Sequence, residues 1–451
     1  GAYGTQGTPP QGPARRRLTA ILAAVVALAL VATGTLVWLF VIKDDGGGGG
    51  SGPLGGSAMK HAWNSPTAGA RVDMLGAWST GQRVYAGDKD AIVAYDVADG
   101  RETGKFTPPS GELCGMASTV SDGIGVAMYG PADQCDTTVA VELATMKPLW
   151  DKKTRNTSST DDFLTVATAV DGGMVVLTTP TGLVAYDLKD GTQRWTAPSG
   201  ATGSSSDQDT DDLRVEGGTV LTVATTYTKN TPAVITAFNS ADGKRKWTVN
   251  IPASSDGYAS AWLVHADPAV IEIERNGDYL LQSYDDSGRL RSEIPMRGPE
   301  GVLDAFNTRN PPYTSDFDSS TQYNVAIGND TLYAMSTRRD QAPGEIVRLV
   351  AFDLSTGKAR WSKPLGDELG SGVIVGSDPD GVLVLGSGLP GATGKLLAFR
   401  HEDGSSLGAR DVDGKDLLGA DDPGQWMLAE GRLVGFSWTA RPDVPALVTL
   451  A

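Results

Sequence analysis

Leu183-Val-Ala-Tyr-Asp-Leu-Lys-Asp-Gly191, followed four residues later by Trp195, is the stretch on which the fold of this chain turns. Its first half is a short run of strand-forming residues. The run stops at Asp187, whose carboxylate can accept hydrogen bonds from the backbone N–H groups just ahead of it, and Gly191 supplies the positive φ that closes a tight turn. The pattern returns as Ile235-Thr-Ala-Phe-Asn239 with Gly243 and Trp247, and as Leu349-Val-Ala-Phe-Asp353 with Gly357 and Trp361. Ile92-Val-Ala-Tyr-Asp96 with Gly100 is a further copy without the tryptophan, and weaker copies centre on Val141 with Trp150, Tyr284 with Gly288 and Phe399 with Gly404.

Anchored on the aromatic position, the copies fall at 95, 141, 186, 238, 284, 352 and 399, a repeat of 45 to 52 residues broken once by a spacing of 68. Each copy is preceded by another apolar strand, such as Arg83–Gly87, Met174–Leu177, Val220–Val223, Thr331–Ala334 or Val382–Leu385. Four short strands per repeat make the blade of a β-propeller. The C-terminal stretches Arg432–Trp438 and Ala446–Leu450 supply the second and third strands of one more blade. Its fourth strand is found at the other end of the chain, because His61-Ala-Trp63-Asn-Ser-Pro66 copies Arg194-Trp195-Thr-Ala-Pro198. The expected architecture is all-β: an eight-bladed propeller over 60–451, closed by a strand from near the N-terminus so that no sheet edge is left open.

The motif A-[YF]-D-x-x-[DT]-G-x-x-x-W quoted above resembles the repeat of the PQQ-like (pyrroloquinoline-quinone-like) propeller family, over about residues 60 to 451. That family includes quinoprotein dehydrogenases, an outer-membrane assembly factor that only scaffolds, and exported sensor modules of receptor-like kinases; the anchor, tether and Gly/Ala-rich style resemble its actinobacterial members. Its quinoprotein enzymes hold their cofactor with a vicinal disulfide, a tryptophan floor and a calcium ion. Here the two cysteines are Cys114 and Cys135, and they are not adjacent. Trp63, Trp150, Trp195, Trp247 and Trp361 occupy the structural repeat position, whereas Trp78, Trp262 and Trp426 lie outside it. No cofactor and no enzymatic activity are expected.

Leu18–Ile42 is 25 residues without a charge, long enough as a helix to cross about 30 Å of hydrocarbon. Arg15, Arg16 and Arg17 on one side and Lys43, Asp44 and Asp45 on the other orient such a helix with the N-terminus cytoplasmic and the propeller outside. The expected domains are a disordered cytoplasmic segment 1–17, a transmembrane helix 18–42, a flexible Gly-rich tether 43–59 and the propeller. A net charge of −16 argues against nucleic acid, whose phosphates such a surface repels. In an oxidising compartment Cys114 and Cys135 are expected to pair, since one begins a strand and the other follows the next strand on the same face.

Only three histidines occur, and neither G-x-S-x-G nor H-E-x-x-H is present, so no hydrolase or metal site is expected. The acidic run Asp207-Gln-Asp-Thr-Asp-Asp212 lacks the Gly and Glu of a calcium loop and reads as a solvated loop. Recognition is expected on the face opposite the uniform Asp–Gly turns, where irregular loops gather. The candidate partner-binding loop is the longest insertion, with Tyr313, Asp316, Phe317 and Asp318, beside Arg338 and Arg339 on a loop of the same blade. The function expected is a protein-interaction or envelope scaffold that takes a protein or small-molecule ligand on that face. The alternatives are the sensor of a receptor-like Ser/Thr kinase and a PQQ-dependent oxidoreductase.

Overall fold

The computed structural model describes residue 54 and residues 57–131, 135–154, 168–179, 181–198, 209–225, 228–255, 257–304, 324–338, 346–377, 380–389, 392–413, 425–442 and 444–451. The described residues form strands and turns and no helix, in sheets built around runs of four antiparallel strands. The 168–197 sheet is representative: Thr168–Asp171, Met174–Thr179, Gly182–Asp187 and Gln193–Ala197 pair in chain order. The 112–153, 209–251 and 261–295 sheets repeat it, and Thr439–Ala440 adds a fifth strand to the 72–106 sheet. In the 297–364 sheet a hairpin of Arg297–Gly298 and Gly301–Asp304 joins strand Thr331–Arg338, so the chain leading into the longest insertion is β-structure.

The last sheet joins the two ends of the chain. Gln425–Ala429, Arg432–Phe436 and Leu447–Leu450 pair in order, and Met59–Asn64 lies antiparallel to Leu447–Leu450 as the outer strand. Lys60 and Ala451 exchange backbone hydrogen bonds, both of 2.9 Å, and Ser65 N donates to Leu447 O. At its start the same strand runs parallel to Ser406–Asp413, with Met59 beside Val412 and Lys60 beside Asp413. Leu54 and Met59, within the expected tether, are buried against this seam, and Arg410 Nε donates to Ser57 O.

The tryptophan-and-turn motif holds neighbouring sheets together. Trp150 Nε1 donates to Leu188 O, Trp195 to Ser240 O, Trp361 to His401 O and Trp63 to Val97 O, at 2.7–2.9 Å. Each acceptor lies two residues past the motif aromatic of the following sheet. The N–H of Val97, Leu188 and Ser240 in turn donates to Gln82, Gly173 and Gly218, so one turn residue is tied on both sides. The motif glycines make room for the indoles: a Cβ on Gly100 would lie 2.5 Å from the ring of Trp63, and one on Gly243 2.6 Å from Trp195.

Where the tryptophan is missing, other residues fill the slot. Gly104 stands in the first copy, and Met146 of the next sheet packs against it while Tyr85 Oη donates to Leu143 O. Ser292 replaces it in the fifth, and Ser283 and Ser292 both donate to Leu354 O. Gly408 replaces it in the 369–413 sheet, where Leu54 fills the space. Apolar clusters lie between every successive pair of sheets, including the pair formed by the last sheet and the 72–106 sheet, so the sheets close into a ring.

Candidate functional site: the ring channel and its two ends

The ring has two chemically different ends. One carries the Asp–Gly turns, which are locally saturated: Asp96, Asp187, Asn239, Asp285 and Asp353 each accept the N–H two residues ahead. The Arg194 guanidinium and the Lys189 N–H hold the Asp187 carboxyl below the usual range, and the Ser355 hydroxyl and Arg360 do the same for Asp353. Carboxylates fixed in this way stabilise the turn and leave little for a partner. The other end carries the connections between second and third strands and from sheet to sheet.

Between the ends runs a central cavity of about 380 Å³ walled by the inner strands. Its wall is divided. Leu75, Met116, Val373, Ile374, Trp426 and Trp438 are apolar, and Arg214, Glu216 and His265 form a polar patch. The patch sits where its strands turn, because Glu216 precedes the Gly217-Gly218 turn and His265 precedes the cis Asp267–Pro268 bond. Glu216 Oε2 accepts from Ala266 N at 2.6 Å and lies 3.2 Å from His265 Nε2, while His265 Nδ1 is 3.0 Å from Pro268 O. Both ring nitrogens therefore face acceptors. Arg214 Nε donates to Leu263 O, and Asn324 bridges to Gly372 O and Ile374 N. These polar groups stitch neighbouring inner strands, and among the lining residues no hydroxyl sits on the His265 imidazole as a nucleophile would.

The cofactor implied by quinoprotein relatives does not fit this donor set. The disulfide joins Cys114 to Cys135, 21 residues apart with Cα atoms 6.0 Å apart, so it is not vicinal. Among the described residues no group of three His, Cys, Asp or Glu side chains could hold a metal ion. Among the described residues of the cavity wall Glu216 is the one carboxylate, and it is engaged by Ala266 and His265.

Of the expected site residues, the structure pairs Cys114 with Cys135 and packs them beside Met128. Tyr313, Asp316, Phe317, Asp318 and Arg339 lie outside the described residues, as does the span 18–42; among the described residues no helix is long and apolar enough to cross a membrane. Arg338 is corrected from loop to strand: it ends Thr331–Arg338, and its backbone pairs with Ile346. The acidic run 207–212 is also corrected. Strand Asp209–Glu216 begins inside it, and Asp212 is buried, its carboxylate accepting Leu263 N of the next sheet at 3.1 Å. An acid that serves as acceptor for a neighbouring strand belongs to the sheet. Arg214, Glu216 and His265 escaped the sequence reading because alternate charged residues on a strand look like a solvated face; here that face lines the channel.

A family model described as outer membrane protein assembly factor BamB matches residues 23–276. Among solved structures, a computationally designed protein, Ika8, is similar at a TM-score of 0.51 and 12% identity, over 88% of this chain and 99% of that one. BamB from Moraxella catarrhalis is similar at 0.44 and 14%, over 85% and 98%. A quinohemoprotein alcohol dehydrogenase from Pseudomonas putida HK5 is similar at 0.48 and 12%, over 87% and 76%. No curated protein matches the sequence. With more than half its length matched and its repeats folded into sheets of four, the chain belongs to the PQQ-like repeat β-propeller family that includes the assembly factor BamB.

Proposed function

We propose that this chain is an eight-bladed, membrane-anchored scaffold that presents its loop end to protein partners outside the cell and catalyses no reaction. The observation that carries the reading is the asymmetry of the ring: one end is consumed by self-satisfied turns, and the other holds the irregular connections. A rigid ring with varied loops at one end is built for recognition. The match to an assembly-factor family and a channel wall whose polar groups are spent on neighbouring strands support the same reading. The eight blades are the seven four-stranded runs from 72 to 413 and the run closed by Met59–Asn64. Anchoring rests on the apolar span 18–42 and its flanking arginines.

Photo-crosslinking in intact cells tests the scaffold. A photoreactive residue at Tyr258, on the loop end, is expected to give discrete high-mass adducts, and one at Lys189, on the turn end, none; adducts from both ends alike, or from neither, contradict the proposal.

A further inference from the structure

On the 261–295 sheet, Glu272 is fully buried, and among the described residues neither carboxylate oxygen has a hydrogen-bond partner. Burial pushes its carboxyl up to about 8. Its surroundings explain the burial. Trp262 pairs across the strands with Glu272, and Glu274 with Tyr279; since Glu272 and Glu274 are two residues apart, all four side chains share one face of the sheet. The rings of Trp262 and Tyr279, on the strands either side, lie 6.3 Å apart and so roof the strand that carries the two acids. Tyr279 is 41% exposed and sits just past the Asn276-Gly277 turn, at the edge of this roof. Glu274, on the same face, adds negative charge beside the Tyr279 ring.

An unpartnered buried carboxyl is costly unless something arrives to pair with it. A carboxylate beneath two aromatic faces is a receptor for an organic cation, held by charge from below and by the rings from the sides. A guanidinium fits best, because it is planar, stacks on rings and meets both carboxylate oxygens at once. We infer that Glu272, roofed by Trp262 and Tyr279, is the binding site for an arginine side chain of a protein partner. That the cation comes from a protein rests on the scaffold reading; the site itself does not. Binding ionises Glu272, so the proton on its carboxyl leaves to the buffer as the guanidinium arrives.

The test is calorimetric titration of the full chain at pH 7 with N-acetyl-L-argininamide and with agmatine, each in two buffers of different ionisation enthalpy. Saturable binding of argininamide at one site, with release of close to one proton, is the expected result. Glu272→Gln, a neutral isostere of the protonated acid, is expected to fold with a thermal midpoint no lower than the wild type's, abolish proton release and weaken binding at least tenfold. Tyr279→Leu is expected to weaken binding several-fold and keep the proton release. Equal affinity in Glu272→Gln, binding without proton release, or no saturation overturns the site, whatever the crosslinking result. Binding of agmatine without argininamide overturns the protein source, and preferential binding of calcium by Glu272 overturns the organic cation.

Discussion

The contact between Trp63 and Gly100 allows the ring closure to be weighed directly. Trp63 is 8% exposed, donates to Val97 O at 2.8 Å and rests on Gly100, where a Cβ would meet the indole at 2.5 Å. Trp63→Ala removes a buried indole and its hydrogen bond, at a cost of about 4 kcal/mol. Gly100→Ala carries two penalties: φ is +72°, worth about 1 kcal/mol for a residue with a Cβ, and the added carbon overpacks the indole, worth about 2 kcal/mol more. Once Trp63 is alanine the second penalty disappears and only the first remains. Urea unfolding of the wild type, both single variants and the double variant is expected to give a coupling energy of about 2 kcal/mol, Gly100→Ala costing about 3 alone and about 1 beside Trp63→Ala. The pair Trp195 and Gly243, at an internal junction, is expected to couple similarly. Costs that add to within about 0.5 kcal/mol refute the claim that the N-terminal strand packs on the 72–106 sheet as the other outer strands pack on their neighbours.

Three further outcomes are expected. Glu272 has an ordinary carboxyl value near 4.5 when unfolded and about 8 when folded, so between those values the folded chain keeps a proton the unfolded chain has lost. Stability therefore falls as pH rises through that window, by at most about 5 kcal/mol. Thermal melts from pH 5 to 9 are expected to show a decline that Glu272→Gln flattens. Cys114→Ser opens a crosslink between residues 21 apart and is expected to cost about 3 kcal/mol, matched by adding reductant to the wild type. Leu54→Ala empties the slot at Gly408 and is expected to cost roughly 2–3 kcal/mol in the same urea assay, with a loss under about 0.5 contradicting a packed Leu54.

The repeat was legible because its parts are local: an aromatic, an Asp two residues before its own N–H donor, a glycine with positive φ and a tryptophan four residues on. The closing strand could be read for the same reason, since His61–Pro66 repeats the signature of Arg194–Pro198. What escaped reading depends on distant chain. Leu54 is one apolar residue in a Gly-rich stretch, and only the missing side chain at Gly408, more than three hundred residues away, gives it a place. Glu272 alternates with Ile271 and Ile273 as a solvated residue would, and it is the neighbouring sheet and the Trp262–Tyr279 pair that bury it. Asp212 belongs to a run of acids that reads as loop until Leu263 N of the next sheet is seen to need its carboxylate.

Ring closure depends on the pairing of Met59–Asn64 with Leu447–Leu450, and amide hydrogen exchange measures that joint. Lys60 N donates to Ala451 O, Ala451 N to Lys60 O and Ser65 N to Leu447 O. These three amides are expected to exchange at least about a thousandfold more slowly than free peptide, together with those of the internal outer strand Gln193–Ala197, because they open only when the ring opens. Exchange of Lys60, Ser65 and Ala451 at the free-peptide rate, beside a protected 193–197 strand, would contradict closure by the N-terminal strand.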